Sequence, residues 1–390
     1  MSDIGWRRAT GLALPPFLAG KAIALVVGYL AVWRNWERAG FPSFARLHDA
    51  FSNWDGENYR AIAAGGYPPG PLSLKIDMPS HLWGFFPGAP ILARLASVVL
   101  VDVVLSAVVV NLVCSLIALV FVVRLVRLER GDDESAATAA WLLALYPYAI
   151  FTTVFYTEAP FLAAATASLF WMRRGRGNDH LLACLAGACA MAVRLTGIAL
   201  ILPLIVERLS RRRGRPDVQI LLVALVPLPL LLFMLYASAH TGDAMAYFHI
   251  QNDSESYGMK KLTWPWTGLS NTWDSAIGLN ANQYGYVFML EVIFGILAVA
   301  LVALQWATNV LPMPRVAPSL CLYSTGVLLP FICITFWSGI PRYLMTMVPI
   351  YIVGADLLRD RERWRVPVLA VSGALMGYGT SVLLGGAYLS

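Results

Sequence analysis

The stretch Asn53-Trp54-Asp55-Gly56-Glu57-Asn58-Tyr59-Arg60-Ala61-Ile62-Ala63-Ala64-Gly65-Gly66-Tyr67-Pro68 is a polar island between two long apolar regions. Asp55 opens a run of good helix formers and Gly65-Gly66 closes it. The island therefore reads as a short helix with an acidic residue at or next to its N-cap. What surrounds it has the composition of a membrane protein. Of 390 residues, 58% are hydrophobic and 13% charged, against about 25% charged in a soluble domain. Each bilayer crossing takes about 20 apolar residues, so the length fits one polytopic all-α domain, residues 1–390, rather than several soluble ones.

The formal charge of +6 does not point to nucleic acid, because the basic residues fall in short clusters between apolar segments. That pattern orients a membrane protein. The five cysteines, at 114, 184, 189, 321 and 333, lie inside apolar runs with no CxxC spacing. They read as small core residues, so neither a disulfide framework nor a zinc site is indicated. Trp6-Arg7-Arg8 precedes an apolar run to about Trp33. This run is longer than a signal-peptide core, so it is expected to stay as a first transmembrane helix with the N-terminus inside.

Arginine clusters recur at Arg7-Arg8, Arg124/Arg127/Arg130, Arg173-Arg174/Arg176, Arg208/Arg211-Arg213/Arg215 and Arg359/Arg361/Arg363/Arg365. If all face the cytoplasm, the chain crosses an even number of times between successive clusters. The weak apolar stretch at about 86–103, which contains Arg94, then lies in the interface as a juxtamembrane helix. Residues 34–103 form a large first extracytoplasmic loop holding the island. Short segments at about 136–156, 159–172, 180–194 and 196–208 stop at an outer recess and turn at Tyr156-Thr157-Glu158 and Arg194-Leu195-Thr196-Gly197. A helix at about 217–238 leads to a second outer loop, about 239–285. Crossings at about 286–307, 316–336, 344–358 and 366–387 follow, for about 11 in all.

The outer surface so defined carries Asp55, Glu57, Asp77, Glu158, Arg194, Asp243, His249, Gln251 and Arg342. Capping its own helix would suffice to explain Asp55. A carboxylate oriented by backbone amides beside the membrane can also accept a proton from a bound hydroxyl, and the two roles can coexist. Glu57 reads as a solvated residue of the same helix. Arg194 and Arg342, at the tips of membrane hairpins, need water, a carboxylate or an anionic ligand. A structural pair with Glu158 and a grip on a lipid phosphate are both open. Tyr343 could stack on a sugar or pack on headgroups. His240 and His249 lack metal-ligand spacing, so no metal or other cofactor is expected. Trp33, Trp36 and Trp83 read as interface anchors, and Trp264-Pro265-Trp266 as a sugar platform. Lys21, in mid-helix, has no partner assignable from sequence.

Taken in order, several pieces resemble the PIG-V-like mannosyltransferases within the GT-C class of polytopic glycosyltransferases. They are Trp54-Asp55-Gly56 with Tyr59, Ile62-Ala63 and Gly66-Tyr67; Phe85-Phe86-Pro87; Tyr156-Thr157-Glu158; Arg194 with Gly197; Thr241-Gly242-Asp243, Ala246-Tyr247 and Gln251; Pro265-Trp266; and Arg342-Tyr343. The resemblance implies a GT-C-like bundle that moves mannose from a polyprenyl-phosphate sugar to a glycolipid or glycan acceptor, with inversion and without a metal. It makes Asp55 the catalytic base. It places Arg194, Arg342, Tyr343, Glu158, Gln251, His249, Trp54 and Tyr59 at the donor phosphate and substrate. A bacterial plasma membrane with an extracytoplasmic site fits the short loops. The chain departs from the family pattern after Gln251, where Ser254-Glu255-Ser256-Tyr257 lacks a tryptophan, and after Pro87, where Gly88 replaces a leucine or aromatic; these leave the acceptor open. Two other classes stand beside this reading: a flippase of lipid-linked sugars without chemistry, although no internal repeat is present, and a membrane scaffold whose outer loops bind a partner.

Overall fold

The computed structural model describes residues 4–36, 44–75, 79–253, 260–278 and 285–389. In chain order the helices are α1 (Trp6–Trp36), α2 (Phe44–Ala50), α3 (Asp55–Gly65), α4 (Gly88–Leu100), α5 (Val103–Arg130), α6 (Asp133–Ala144), α7 (Glu158–Arg174), α8 (Asp179–Val193) and α9 (Ile201–Arg211). They continue as α10 (Leu228–Thr241), α11 (Ala246–Asp253), α12 (Pro265–Ile277), α13 (Gly285–Ala307), α14 (Pro318–Ile332), α15 (Ile340–Thr346), α16 (Pro349–Leu358) and α17 (Glu362–Leu384). Short 3-10 turns at Pro79–Gly84, Ala149–Thr152, Leu195–Leu200 and Val218–Leu225 join some of them.

The bundle is built around α5 and α7, which pack along each other; α4, α6 and α1 also lie against α5, and α8 against α7. Small residues on α7, among them Ala159, Ala163, Ala165 and Ala167, are buried and let neighbouring backbones approach. Four described helices are long and apolar enough to cross a membrane: α1, α5, α13 and α17. The segment Val218–Leu225 with α10, bent by 42°, makes a fifth candidate. The remaining apolar helices are shorter, and the reasons are local. Predicted crossings at about 136–156 and 344–358 are each interrupted: α6 ends ahead of Pro147, and α15 gives way to α16 at Pro349. The bend before α10 falls at Pro227, which caps the helix that follows.

All five arginine clusters lie at one end of the bundle, joined by ion pairs. Asp133 accepts from Arg8 and Arg127; Arg130 grips Asp356 with Nη2 at 2.6 Å and Nε at 2.8 Å; Arg173 joins Glu129 and Glu207 at 2.7 and 2.8 Å; Arg365 meets Glu134 at 2.5 Å. Arg208 pairs with Asp217. Since α7 starts at Glu158 and ends at Arg173-Arg174, Glu158 lies at the opposite end, about 25 Å away at 1.5 Å per residue.

Candidate active site

The polar island folds as its sequence predicts. The α3 helix starts at Asp55, and Gly66 at φ 77° stops it by donating its N–H to the Ile62 carbonyl. Asp55 occupies the first helical position. The N-cap is Trp54, whose side chain forms no cap hydrogen bond and whose backbone lies at φ 58°, ψ −121°. A tryptophan rarely adopts a positive φ. Its ring packs edge-on against Tyr388, 5.0 Å between centroids.

Against α3 runs the connection from α6 to α7, which contains the 3-10 turn Ala149–Thr152. Phe155 donates its N–H to the Phe51 carbonyl at 2.8 Å, and the Tyr156 hydroxyl donates to the Asn53 carbonyl at 3.0 Å. Tyr59 packs edge-on to Phe85 at 5.2 Å. Burial first, and then the Asp55 carboxylate, push its hydroxyl well above the usual tyrosine value. The connection is fixed from below by Asn111, which bonds the Val154 and Tyr156 carbonyls, and by Lys21. The Lys21 ammonium donates to the Thr152 carbonyl and hydroxyl at 2.8 and 2.7 Å and to the Thr153 hydroxyl at 3.0 Å. That supplies the partner its sequence context did not reveal.

Glu158, at the start of α7, is fully buried (0% exposed). Its Oε1 accepts both Arg194 Nη1 and Arg342 Nε, each at 2.7 Å. Arg342 Nη1 also reaches Asp55 Oδ2 at 3.2 Å, where the carboxylate is 33% exposed and the arginine 11%. One guanidinium thus joins a buried acid to an accessible one. Burial alone would raise the Glu158 carboxyl, but Arg342 and Arg194 outweigh it and hold it below the usual glutamate range. Desolvation opposes the charge on Arg194 and Arg342, but Glu158, and for Arg342 also Asp55, raise both above the ordinary arginine value. Both guanidinium groups are also faced by rings: Arg342 by Phe151 at 4.6 Å and Tyr156 at 4.9 Å, and Arg194 by Tyr343 at 4.6 Å. Tyr343 in turn stacks on Phe331.

Close backbone approaches aim these groups. Arg194 is extended between α8 and the next 3-10 turn, at φ −151°, ψ 143°. The turn can cross the end of α8 because a Cβ on Gly197 would fall 2.5 Å from the Met191 nitrogen. Similarly, a Cβ on Gly88 would fall 2.6 Å from the Ala192 carbonyl oxygen. A larger residue after Phe85-Phe86-Pro87 would separate α4 from α8. The loop before Arg342 is held by Glu291, a buried residue of α13. Its two oxygens accept the Gly339 N–H at 2.7 Å and the Ile340 N–H at 2.9 Å. Sequence reasoning passed over Glu291, although a lone acid in the apolar run Met289-Leu290-Glu291-Val292 is the available signal.

Other candidates lie apart from this cluster. Gln251 donates to the Gly84 carbonyl at 2.8 Å, tying α11 to the turn at Pro79–Gly84, and His249 bonds Asp243 at 2.6 Å on the surface. Glu57 is on the far face of α3, where it lines a cleft of about 470 Å³ with Asp49, Asn53 and Arg60. Asp77 and residues 254–257 lie outside the described residues. Among the described residues, no group of three His, Cys, Asp or Glu side chains could hold a metal ion. Two carboxylates and two guanidiniums in one cluster faced by aromatic rings can bind an anion and accept a proton.

The sequence model of glycosyltransferase family 87 matches residues 86–334, from the second phenylalanine of Phe85-Phe86-Pro87 to the segment before Arg342. Among solved structures, the chain is similar to ArnT from Cupriavidus metallidurans bound to undecaprenyl phosphate, with a TM-score of 0.55 at 14% identity, covering 95% of this chain and 76% of that one. It is also similar to the oligosaccharyltransferase of Archaeoglobus fulgidus in the apo form, with a TM-score of 0.48 at 12% identity, covering 96% of this chain and 56% of that one. No curated protein matches the sequence. The likeness to ArnT shows an all-α, GT-C-like membrane fold.

Proposed function

Because the chain belongs to glycosyltransferase family 87, we propose that this integral-membrane glycosyltransferase transfers mannose from a polyprenyl-phosphate donor to a glycolipid or glycan acceptor, with Asp55 as the base. The observation that carries the reading is Arg342, shared between accessible Asp55 and buried Glu158. Mannose comes from the resemblance to the PIG-V-like enzymes. The lipid-phosphate donor also draws on the ligand of the ArnT structure. Family membership disfavours a flippase or a scaffold.

The proposed reaction is an inverting displacement. A donor phosphate takes the outer nitrogen of Arg342, which releases Asp55. The Asp55 carboxylate accepts the proton of the acceptor hydroxyl, whose oxygen bonds to the anomeric carbon as the bond from that carbon to the phosphate oxygen breaks. The leaving phosphate gains one negative charge, which Arg342 and Arg194 stabilise by forked hydrogen bonds. Glu158 keeps both guanidiniums aimed, and Trp54, Tyr59 and Tyr343 stand beside the sugar; His249 and Gln251, which lie apart from the charged cluster, meet the substrate farther out on the second outer loop. The arginine-rich end faces the cytoplasm by the positive-inside rule, with the N-terminus there, so the reaction takes place on the extracytoplasmic side of a bacterial plasma membrane.

The test is a transfer assay of the purified protein with a panel of polyprenyl-phosphate sugars and nucleotide sugars. Transfer from polyprenyl-phosphate mannose, lost in Asp55→Asn, is the expected result. Transfer from a nucleotide sugar alone would overturn the donor class, and undiminished transfer by the variant would remove Asp55 as base.

A further inference from the structure

The α12 helix has two unlike faces. Gly268, Thr272 and Ala276 are buried, whereas Trp266, Trp273 and Ile277, spaced at helical intervals, are exposed. Trp264 at the N-cap stacks parallel on Trp266, 5.0 Å between centroids with 6° between planes. Both rings remain about two-thirds exposed, at 66% and 64%. Leu262, just before them, is exposed, and Lys260 and Lys261 precede it. Three tryptophans on the outer face of one short helix form an apolar surface that water would disfavour.

The buried face of α12 is fastened to the chain leading into the arginine loop. Thr263 donates its N–H to the Cys333 carbonyl at 2.9 Å, and Thr335 donates to the Lys261 carbonyl at 3.0 Å. Asn271 Nδ2 donates to the Thr335 carbonyl at 3.0 Å, and the Trp337 N–H donates to the Thr272 hydroxyl at 2.8 Å. Gly268 allows the Trp337 ring to lie against the helix. Glu291 holds Gly339 and Ile340 immediately beyond.

Depth identifies what covers the exposed face. The α14 helix starts near the arginine-rich end and carries the chain to Cys333, a rise of about 22 Å over its length. The hydrocarbon core is about 30 Å thick, so the far boundary falls along α12, beside the upper part of α13. The end of α12 meets the start of α13 there, where a Cβ on Gly285 would fall 2.8 Å from the Ala276 carbonyl oxygen. Indole rings favour that boundary, where an apolar body meets wet headgroups. Lys260 and Lys261 add attraction to anionic headgroups.

We infer that α12 is an interfacial anchor: Trp264, Trp266 and Trp273 bind the headgroup boundary of the leaflet at the site end and hold the segment 333–342, with Arg342, at that depth. The inference does not depend on which sugar or donor the enzyme uses. It replaces the sugar-platform reading of Trp264-Pro265-Trp266. The experiment uses full-length protein in vesicles of phosphatidylcholine and phosphatidylglycerol, comparing wild type with Trp264→Phe/Trp266→Phe. These substitutions keep rings in place, and circular dichroism checks that the helix content is unchanged. The difference in tryptophan emission reports the pair. Lipids brominated near the headgroup should quench most of it, with deep bromines and aqueous iodide less effective. Quenching by iodide with none from brominated lipid would overturn the inference, because the face would then be in water. Protection from quenching by a soluble manno-oligosaccharide would also overturn it, in favour of a sugar platform. Trp273→Phe, measured in the same way, provides an independent second reading.

Discussion

The two ends of the bundle use the same side chains for different purposes. At the arginine-rich end short contacts lock the carboxylates into a network: Arg130 closes a forked pair on Asp356, Arg173 joins the mostly buried Glu129 and Glu207 at 2.7 and 2.8 Å, and Asp179 accepts from Arg174 at 2.5 Å and from the Arg176 N–H at 2.7 Å. At the other end Arg342 joins a fully buried acid to an accessible one, and the longest of the three ion-pair contacts, 3.2 Å, is the one to the accessible Asp55. Saturated pairs fasten helices together. A shared guanidinium can exchange one partner for an anionic ligand without leaving the other.

Substitutions at the site end should reduce activity, and those at the arginine-rich end should reduce stability. The largest effect is expected for Asp55→Asn, which removes a general base and should lower kcat by about 10²–10⁴-fold in protein that still folds. Melting temperature beside kcat separates the two causes, and a variant with normal kcat would break the contrast. Arg342→Lys comes next. It keeps the charge but loses the fork, with an expected loss of about 10²–10³-fold in kcat, measured with saturating donor. Glu291→Ala acts one step removed, by releasing the Gly339 and Ile340 amides. Misplacement of Arg342 should lower kcat by about 10- to 100-fold. Glu291→Gln, which keeps one carbonyl acceptor, should recover part of the loss, whereas a purely packing role would give no such rescue.

The smallest effect on turnover belongs to the opposite end. Arg130→Gln leaves buried Asp356 unpaired, which should cost about 3–5 kcal/mol of stability, with kcat per folded molecule unchanged. Glu158 sharpens the comparison through acid. Its folded value lies below the ordinary 4.5, so its contribution to stability is complete above that value and is lost as pH falls through the lower folded one. Acid melting curves of wild type and Glu158→Gln should therefore converge only below the usual glutamate range. Convergence at higher pH would mean that the arginines do not hold Glu158 charged.

Much of the candidate site's geometry was legible in the sequence because its signals are local. Asp55 before a short helix with paired glycines behind it, Glu158 after Tyr156-Thr157, and Arg194 three residues before Gly197 mark turns by their own chemistry. The connections from α6 to α7 and from α8 to α9 follow from segments too short and too interrupted to run straight through. Other features depend on contacts distant in sequence. Lys21 finds Thr152 and Thr153 across 131 and 132 positions. Glu291 acts on a loop 48 positions away. Gly88 is explained only by α8 lying against it. A count of apolar stretches also gives about eleven crossings where four helices, or five with the bent pair, are individually long enough. Hydropathy measures how apolar a segment is, but not where prolines and buried polar groups break it.

The backbone of Trp54 sets a limit on how this chain can be improved. A non-glycine residue at positive φ typically costs about 1–3 kcal/mol, and here it immediately precedes Asp55. Glycine at position 54 would relieve that conformation and give up the indole against Tyr388. If Trp54 serves the proposed site, selection for thermal robustness and selection for turnover pull in opposite directions at this residue, and a laboratory lineage evolved for heat tolerance alone would lose activity through it.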